Sequence, residues 1–272
     1  MKVTIITPTY NSAETLRENL LSVRNQSYTN IEHLIIDNLS RDRTIDIVRE
    51  FDHNVRVCSE SDSGIYDAMN KGIKMATGDI IGILNSDDYL SDRETIGQIV
   101  STFLHDDCDG VYGDLIYVNK EDPYKIQRIW QAGTYSTRRL FRGWMLPHPT
   151  MYLKRNVYEK CGLYNADFKY SADYEMIVRL LLKFKIKASN LNKVIVYMRA
   201  GGASNRNMLV RLAVNKEDRQ AWDSLGLQPE WYTLYLKPMR KVIQYFHKYV
   251  SVKWLIHIPP ASSEDSYLWT RI

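Results

Sequence analysis

The run Asn85-Ser86-Asp87-Asp88 follows directly on the apolar segment GDIIGIL. Two neighbouring carboxylates repel each other unless a cation lies between or beside them. Their hard oxygens suit Mg²⁺ or Mn²⁺, ions often shared with a substrate's phosphates. The same run also suits a solvated turn or a helix cap, where aspartate is common. A second run, ESDSGIYDAMNKGIKMATGD, spaces Gly64, Gly72 and Gly78 around a short helix opening with acidic and hydroxyl residues. Lys71 within it could face a phosphate or simply solvent. Neither GxGxxG nor GxxxxGK occurs. A nucleotide here would therefore be held differently from one in a dinucleotide fold or a P-loop.

Something must bring these residues together, and the apolar pattern says what. PTYN, DNLSRD and NSDD each end an apolar run: Val3–Thr7, His33–Ile36 and Ile80–Leu84. Val55–Val57 reads as a further, weaker strand. Between the strands, helical spacing appears at Leu16, Leu20 and Val23, at Ile45 and Val48, and at Ile65, Met69 and Ile73. Ile96, Ile99, Val100 and Phe103 continue it. Asn11, Asp42 and Asp92 are positioned to cap these helices, Asn11 with Glu14 as a capping box. Strand–helix alternation predicts an α/β fold, a mostly parallel sheet flanked by helices. In such sheets ligands bind beyond the carboxyl ends of the strands. Farther on, GVYGDLIYV and Ile195–Met198 read as strands, Met151–Leu153 as a short one, and Ser171–Phe184 as a helix. Residues 121–143 read as a loop-rich insertion with weak strand character. From Asn207 the pattern is helical.

Composition excludes several classes. The chain has 272 residues, 44% hydrophobic and 25% charged, the balance of a soluble globular protein rather than a disordered one. Its net charge of +4 is too mild to indicate nucleic acid. Cys58, Cys108 and Cys161 are too scattered for a disulfide frame or zinc site and read as buried thiols in a reducing compartment. MKVTIITPTY enters a core strand at once, so a signal peptide is not expected. No apolar run is long enough to predict a membrane-spanning helix.

ITPTYNSAETLRENLLSV, IIDNLSRDRT, the Glu60–Asp79 run through NSDD, and YSADYEMIVRLL occur in an order and spacing that resemble glycosyltransferase family 2. GIYDAMNKGI and VYGD are most similar to the branch that builds bacterial surface polysaccharides of the colanic-acid type. The resemblance spans residues 1–205 and implies a GT-A (Rossmann-like) domain there, with 206–272 as a helical C-terminal extension. It implies that Thr7, Pro8 and Tyr10 form the first nucleotide-contacting loop and that Asp37 meets the base, usually uracil. Where the family often has Asp-Asp-Gly-Ser, this chain has Asp37, Asn38, Leu39 and Ser40. Asp62 and Lys71 would line the nucleotide. Asn85, Ser86 and Asp87 fall on the family's Asp-x-Asp motif, with Asn85 replacing the first acid, so the metal would lean on Asp87, helped by Asp88. Asp173 falls on the second residue of a Glu-Asp pair, with Ala172 replacing the glutamate, and is the expected base. Inverting transfer needs one carboxylate to take the acceptor's hydroxyl proton and a cation to neutralise the departing diphosphate.

His148, between two prolines, could contact diphosphate, metal or acceptor, or be purely structural. Asp114 in VYGD could border the acceptor site. Residues 201–204, GGAS, could turn backbone N–H groups toward phosphate. Residues 237–253 carry five Lys or Arg, no acid, and an apolar stripe at helical spacing. Such a helix either lies on an anionic membrane or packs on the catalytic domain. The expectation is a cytoplasmic enzyme, peripheral to the inner face of the membrane, moving sugar from a UDP-linked nucleotide sugar to a lipid-linked or other glycan acceptor. Two other readings stand beside it. One is a non-catalytic nucleotide-sugar-binding partner, given Ala172 and Asn85. The other is a nucleotidyltransferase, which would normally carry a Gly-rich basic loop where PTYNSAET stands.

Overall fold

The computed structural model describes residues 1–51, 55–122, 124–201, 208–240 and 244. Within them the first strands come at the apolar runs: β1 (Val3–Thr9), β2 (Ile31–Asp37), β3 (Val55–Ser59) and β4 (Ile80–Ile83). They pair in parallel in the order β3-β2-β1-β4. The helices between them are α1 (Leu16–Arg24), α2 (Thr44–Arg49) and α3 (Ile65–Met75). After a two-residue strand, β5 (Tyr89–Leu90), come α4 (Thr95–His105) and β6 (Gly110–Val118). Then follow β7 (Ile126–Trp130), α5 (Thr137–Phe141), β8 (Tyr152–Lys154), α6 (Arg155–Cys161), α7 (Ala172–Val178), β9 (Ala188–Arg199) and α8 (Met208–Ser224). The sheet continues β4-β8-β6-β9-β5, with β7 beside β6. β6 and β9 are parallel, while β8, β5 and β7 run antiparallel to their neighbours.

The alternation of side chains builds the core on both faces. Ile6, Leu34, Ile36 and Ile83 face α3 and α7, with Met69, Ile73, Met176 and Ile177. Val3, Ile5 and Ile80 face the other way, against Ile96, Ile99 and Phe103 of α4. Gly72 lets α3 lie close on the sheet: a Cβ there would come within 2.4 Å of Ile6.

Several local expectations are corrected. Asn11 does not cap α1; it adopts φ +49° and its Oδ1 accepts from Arg41 N at 2.9 Å, tying the β1 loop to the β2 loop. Asp42 and Asp92 do not cap either, since the N-cap residues are Arg43 and Glu94; each closes a turn just ahead of its helix, accepting from Thr44 N and Glu94 N at 2.9 Å. The helix expected over 171–184 is α for seven residues and then a π-turn over Arg179–Lys183. Its cause is visible: Arg179 is buried, bonded to Glu175 and to the carbonyls of Cys161 and Leu163. β9 begins seven residues before the predicted strand, drawn out by pairing along β6. Cys108 and Cys161 are buried and Cys58 half-buried, all as free thiols. Among the described residues no helix is long and apolar enough to cross a membrane.

The chain after β9 packs back on the domain. Trp222 of α8 is buried against Phe141, its Nε1 donating to Tyr174 Oη at 3.0 Å. Residues 233–240 are helical and cross Gly143 at φ +73°, where a Cβ would come within 2.4 Å of Lys237 N. Of the basic stretch 237–253, only 237–240 and 244 are among the described residues, and 202–204 of the GGAS turn lie outside them.

Candidate active site

β1 has β2 on one side and β4 on the other, so the loops beyond these three strands diverge around a crevice. The Asn85–Asp88 turn sits there and is held from three sides. Asn19 of α1 donates from Nδ2 to Asn85 O (2.8 Å) and Asp88 O (3.0 Å). Ser12 and Ser86 hydroxyls meet at 2.9 Å, and Thr15 Oγ1 donates to Ser86 O at 3.0 Å. Arg199, buried at the end of β9, donates from Nη1 to Asp87 O at 2.6 Å, ion-pairs with Glu18, and gives its backbone N–H to Asp88 Oδ1 at 3.3 Å.

Asp88 is fully buried, with Asn85 Nδ2 donating to its Oδ2 at 3.1 Å. Burial, and then the Asp87 charge, push its carboxyl well above the usual range. Burial also raises Asp87, which has no ion pair among the described residues. Asn85 Oδ1 is buried without a partner. The donors left over are thus the Asp87 carboxylate and an amide oxygen, both hard. Among the described residues no three His, Cys, Asp or Glu cluster into a cage. That set fits Mg²⁺ or Mn²⁺ in its usual nucleotide setting, with one or two carboxylates and the rest from phosphate and water.

The loop after β1 leaves Tyr10 largely exposed, while Thr7 turns inward to His33 Nε2 at 2.9 Å and Pro8 stays in the strand. Asp37 ends β2 fully buried and accepts from Thr9 Oγ1, Ser40 N, Ser40 Oγ and Ser59 Oγ. Asp62 is raised by burial, its N–H donating to Asn38 Oδ1 at 3.0 Å. Lys71 is engaged within its own segment, 2.9 Å from Glu60 and 4.0 Å from Asp67. Asp114 accepts from Ala132 N at 2.8 Å and is raised by burial.

A cleft of about 360 Å³ runs from Asn85 to the chain's last described turns, with Asp173 and His148 in its wall. Asp173 opens α7. Tyr66 Oη lies 3.2 Å from Asp173 Oδ1 and 3.0 Å from Tyr170 O. Burial, and then the Asp173 charge, push the Tyr66 hydroxyl far up, so it stays a donor. His148 Nε2 is 2.7 Å from Tyr164 Oη, and burial lowers the imidazole, keeping it neutral. Tyr117, Trp130, Tyr170 and Tyr174 add flat apolar surfaces suited to sugar rings. A separate cavity of about 170 Å³, walled by Leu20, Val23, Ile31 and Phe51, carries no carboxylate among its described lining.

Sequence reasoning missed several of these groups. Tyr66 had a signal, its place at a helix start in GIYDAM. Arg199, Trp130 and the α8 residues had none, because only tertiary packing brings them here. Glu217 of α8 accepts from Lys169, Tyr170 and Ser171 N–H at 2.8–3.2 Å, supplying a carboxylate at the start of α7 where Ala172 lacks one. Asp218 Oδ2 holds Lys237 Nζ at 2.6 Å, and that ammonium sits 3.4 Å from the Tyr174 ring centre.

The β3-β2-β1-β4 strands are parallel, with a carboxylate turn at the switch point and, at a helix start in the cleft wall, an acid, the layout of an α/β domain that binds its ligand beyond the strand ends. The chain belongs to glycosyl transferase family 2, whose sequence signature matches residues 4–162. It is 29% identical over 208 residues to a PGL/p-HBAD biosynthesis glycosyltransferase of Mycobacterium bovis, covering 74% of this chain and 78% of that one. It is 28% identical over 207 residues to the Escherichia coli UDP-Glc:α-D-GlcNAc-diphosphoundecaprenol β-1,3-glucosyltransferase WfaP, again covering 74% and 78%. Among solved structures, the Pyrobaculum calidifontis mannosyltransferase PcManGT in complex with GDP-Man and Mn²⁺ shares the fold. Its TM-score is 0.61 at 20% identity, over 97% of this chain and 76% of that one.

Proposed function

We propose that the protein is a metal-dependent, inverting glycosyltransferase that moves a sugar from a UDP-linked donor to a lipid-linked glycan at the inner face of the cytoplasmic membrane. The observation that carries this reading is the single cleft walled both by Asn85, from the strand-end turn, and by Asp173, at the start of α7. Donor phosphates belong at the first and the acceptor hydroxyl at the second. The donor and acceptor classes follow the activity for which WfaP is named.

Asp173 takes the proton of the acceptor hydroxyl as that oxygen attacks the anomeric carbon from the face opposite the diphosphate. The bond from that carbon to the diphosphate oxygen breaks, and its electron pair leaves with UDP. Tyr66 donates to the Asp173 carboxylate and orients it. A divalent cation on Asp87 and Asn85 Oδ1, beside Asp88, would neutralise charge on the leaving diphosphate. Tyr10, Asp62 and Lys71 flank the nucleoside end, and the buried Thr7, Pro8 and Asp37 support the loops there from behind. Ser86 keeps the metal turn in place and His148 shapes the acceptor end, while Asp114, bonded to Ala132 N, is not in the cleft's described lining.

The test is UDP release from a panel of UDP-sugars, with and without Mn²⁺, on a synthetic lipid-diphosphate sugar. Mn²⁺-dependent release that Asp87→Ala abolishes is expected. Pyrophosphate release instead would indicate a nucleotidyltransferase. Tight UDP-sugar binding with no turnover on any acceptor would indicate a non-catalytic partner.

A further inference from the structure

α8 turns one face toward the cleft. Arg211, Val214, Asn215 and Asp218 all line it, at the i, i+3, i+4 and i+7 spacing of a single helical stripe. One turn farther on, Ala221 and Trp222 carry the same stripe into the core. The stripe thus has a packed end and an open end, and the packed end holds the open one in place. The rings of Tyr117, Trp130 and Tyr170 line the same cleft.

The polar groups on this stripe are not equally occupied. Asp218 is buried and bonded by Lys237 Nζ at 2.6 Å, so those two charges cancel. Arg211 and Asn215 are exposed, and among the described residues neither has a hydrogen bond or an ion pair. They stand one turn apart, which makes their side chains neighbours. A guanidinium fork beside an amide, both without partners and both in a cleft wall, is a donor set for an oxyanion. The charge that remains in the described lining is Asp173, of opposite sign. An anion is repelled by Asp173 and drawn to Arg211, so it has one favourable end of the cleft.

We propose that Arg211, helped by Asn215, binds an oxyanion carried by the acceptor, either the phosphate of a carrier lipid or the carboxylate of an acidic sugar. The proposal rests on the proposed function in taking this part of the cleft as the acceptor site. An acceptor with its hydroxyl at Asp173 and its oxyanion at Arg211 is held at both ends and so has one direction along the cleft. Its ring then lies among Tyr117, Trp130 and Tyr170, whose flat faces suit a sugar. A neutral acceptor would leave the Arg211 fork to water and gain nothing from it. Arg211 therefore sets which acceptors are preferred, while Asp173 performs the proton transfer.

The test is calorimetric titration of the full chain, saturated with UDP and Mn²⁺ so that the donor site is filled. Each anionic compound is compared with a neutral counterpart: hexyl diphosphate-linked N-acetylglucosamine with hexyl N-acetylglucosaminide, and hexyl glucuronide with hexyl glucoside. In one of the pairs the anionic member is expected to bind roughly 10- to 100-fold more tightly, the worth of hydrogen bonds between charged groups. A preference in the first pair identifies a carrier phosphate as the source of the oxyanion, and in the second an acidic sugar. Arg211→Gln should erase the preference. Arg211→Lys should keep part of it, because the charge stays while the fork is lost. Asn215→Ala should reduce it a few-fold. The melting temperature should not move in these variants, since both side chains are exposed. Equal binding within both pairs overturns the proposal, and so does a preference that survives Arg211→Gln. A preference that Arg211→Gln erases, in a protein that transfers sugar to none of the compounds, would count against the proposed function and leave the oxyanion subsite standing.

Discussion

Asp173→Asn keeps the size of the side chain and removes its ability to take a proton. Transfer should fall by roughly two to four orders of magnitude, with donor affinity by calorimetry near wild type. Turnover above about a third of wild type would remove Asp173 from the role of base. Asp37 makes a useful contrast. It is expected to meet the base, yet its buried carboxylate already accepts four protein hydrogen bonds. Asp37→Ala would orphan those donors, so it should cost roughly 3–5 kcal/mol of stability as well as UDP affinity. A variant that melts like wild type and loses only UDP binding would show that these bonds add little to the fold. At this scale the Asn85–Asp88 carboxylates were legible from residue type and spacing, while Asp37 and Asp173 stood out only through the family resemblance. Their partners were not legible, since Tyr66 and Asp173 stand 107 residues apart.

At the scale of elements, α7 depends on α8. Glu217 accepts three N–H groups at the start of the helix that carries Asp173. Glu217→Gln keeps one carbonyl oxygen and removes the charge. It should lower stability by about 1–2 kcal/mol, a few degrees of melting temperature for a chain of this size. Turnover should fall with it while donor binding holds, because the base loses its setting rather than its identity. A drop in melting temperature with unchanged kcat would confine Glu217 to a purely stabilising role. The helical period of residues 171–184 predicted one continuous helix. The buried Arg179 fork, reaching the carbonyls of Cys161 at the end of α6 and of Leu163 just beyond it, marks where the α-helix gives way to the π-turn.

At the scale of the whole molecule, acid should unfold the protein in two stages, both from β2. His33 is fully enclosed and burial lowers it to about 3. Its unfolded value is near 6.5, so between those limits the unfolded chain binds the extra proton and stability falls as pH falls. Glu32 is held at about 2. Burial alone would raise it, but hydrogen bonds from Thr4, Thr77 and Arg56 more than offset that. Its contribution is complete above the usual glutamate value of 4.5 and is lost as pH falls through about 2. Unfolding free energy should therefore begin to drop near pH 6, by up to about 1.4 kcal/mol per pH unit from His33 alone, and the melting temperature with it. His33→Gln should flatten the curve between about pH 6 and 5 and leave the steeper loss below it. An unchanged curve in that variant would assign the first stage to another group.

Taken by itself, the sequence determined the parallel half of the sheet and the ends of its strands. Short apolar runs alternating with helices suit parallel strands buried on both faces, and polar runs cannot continue a buried strand. It therefore also determined that Thr7, Asp37 and Asn85–Asp88 would share one rim. Tertiary structure decided what surrounds that rim. β5 is two residues long and exists through its pairing with β9, and the start of β9 is set by β6 rather than by its own apolar run. Which oxygens remain for a metal was likewise decided by packing, because Arg199 and Asn85 occupy Asp88 and leave Asp87 and Asn85 Oδ1. Local pattern reports a residue's own preference. The partner that satisfies a buried charge can come from anywhere in the chain, and only the fold names it.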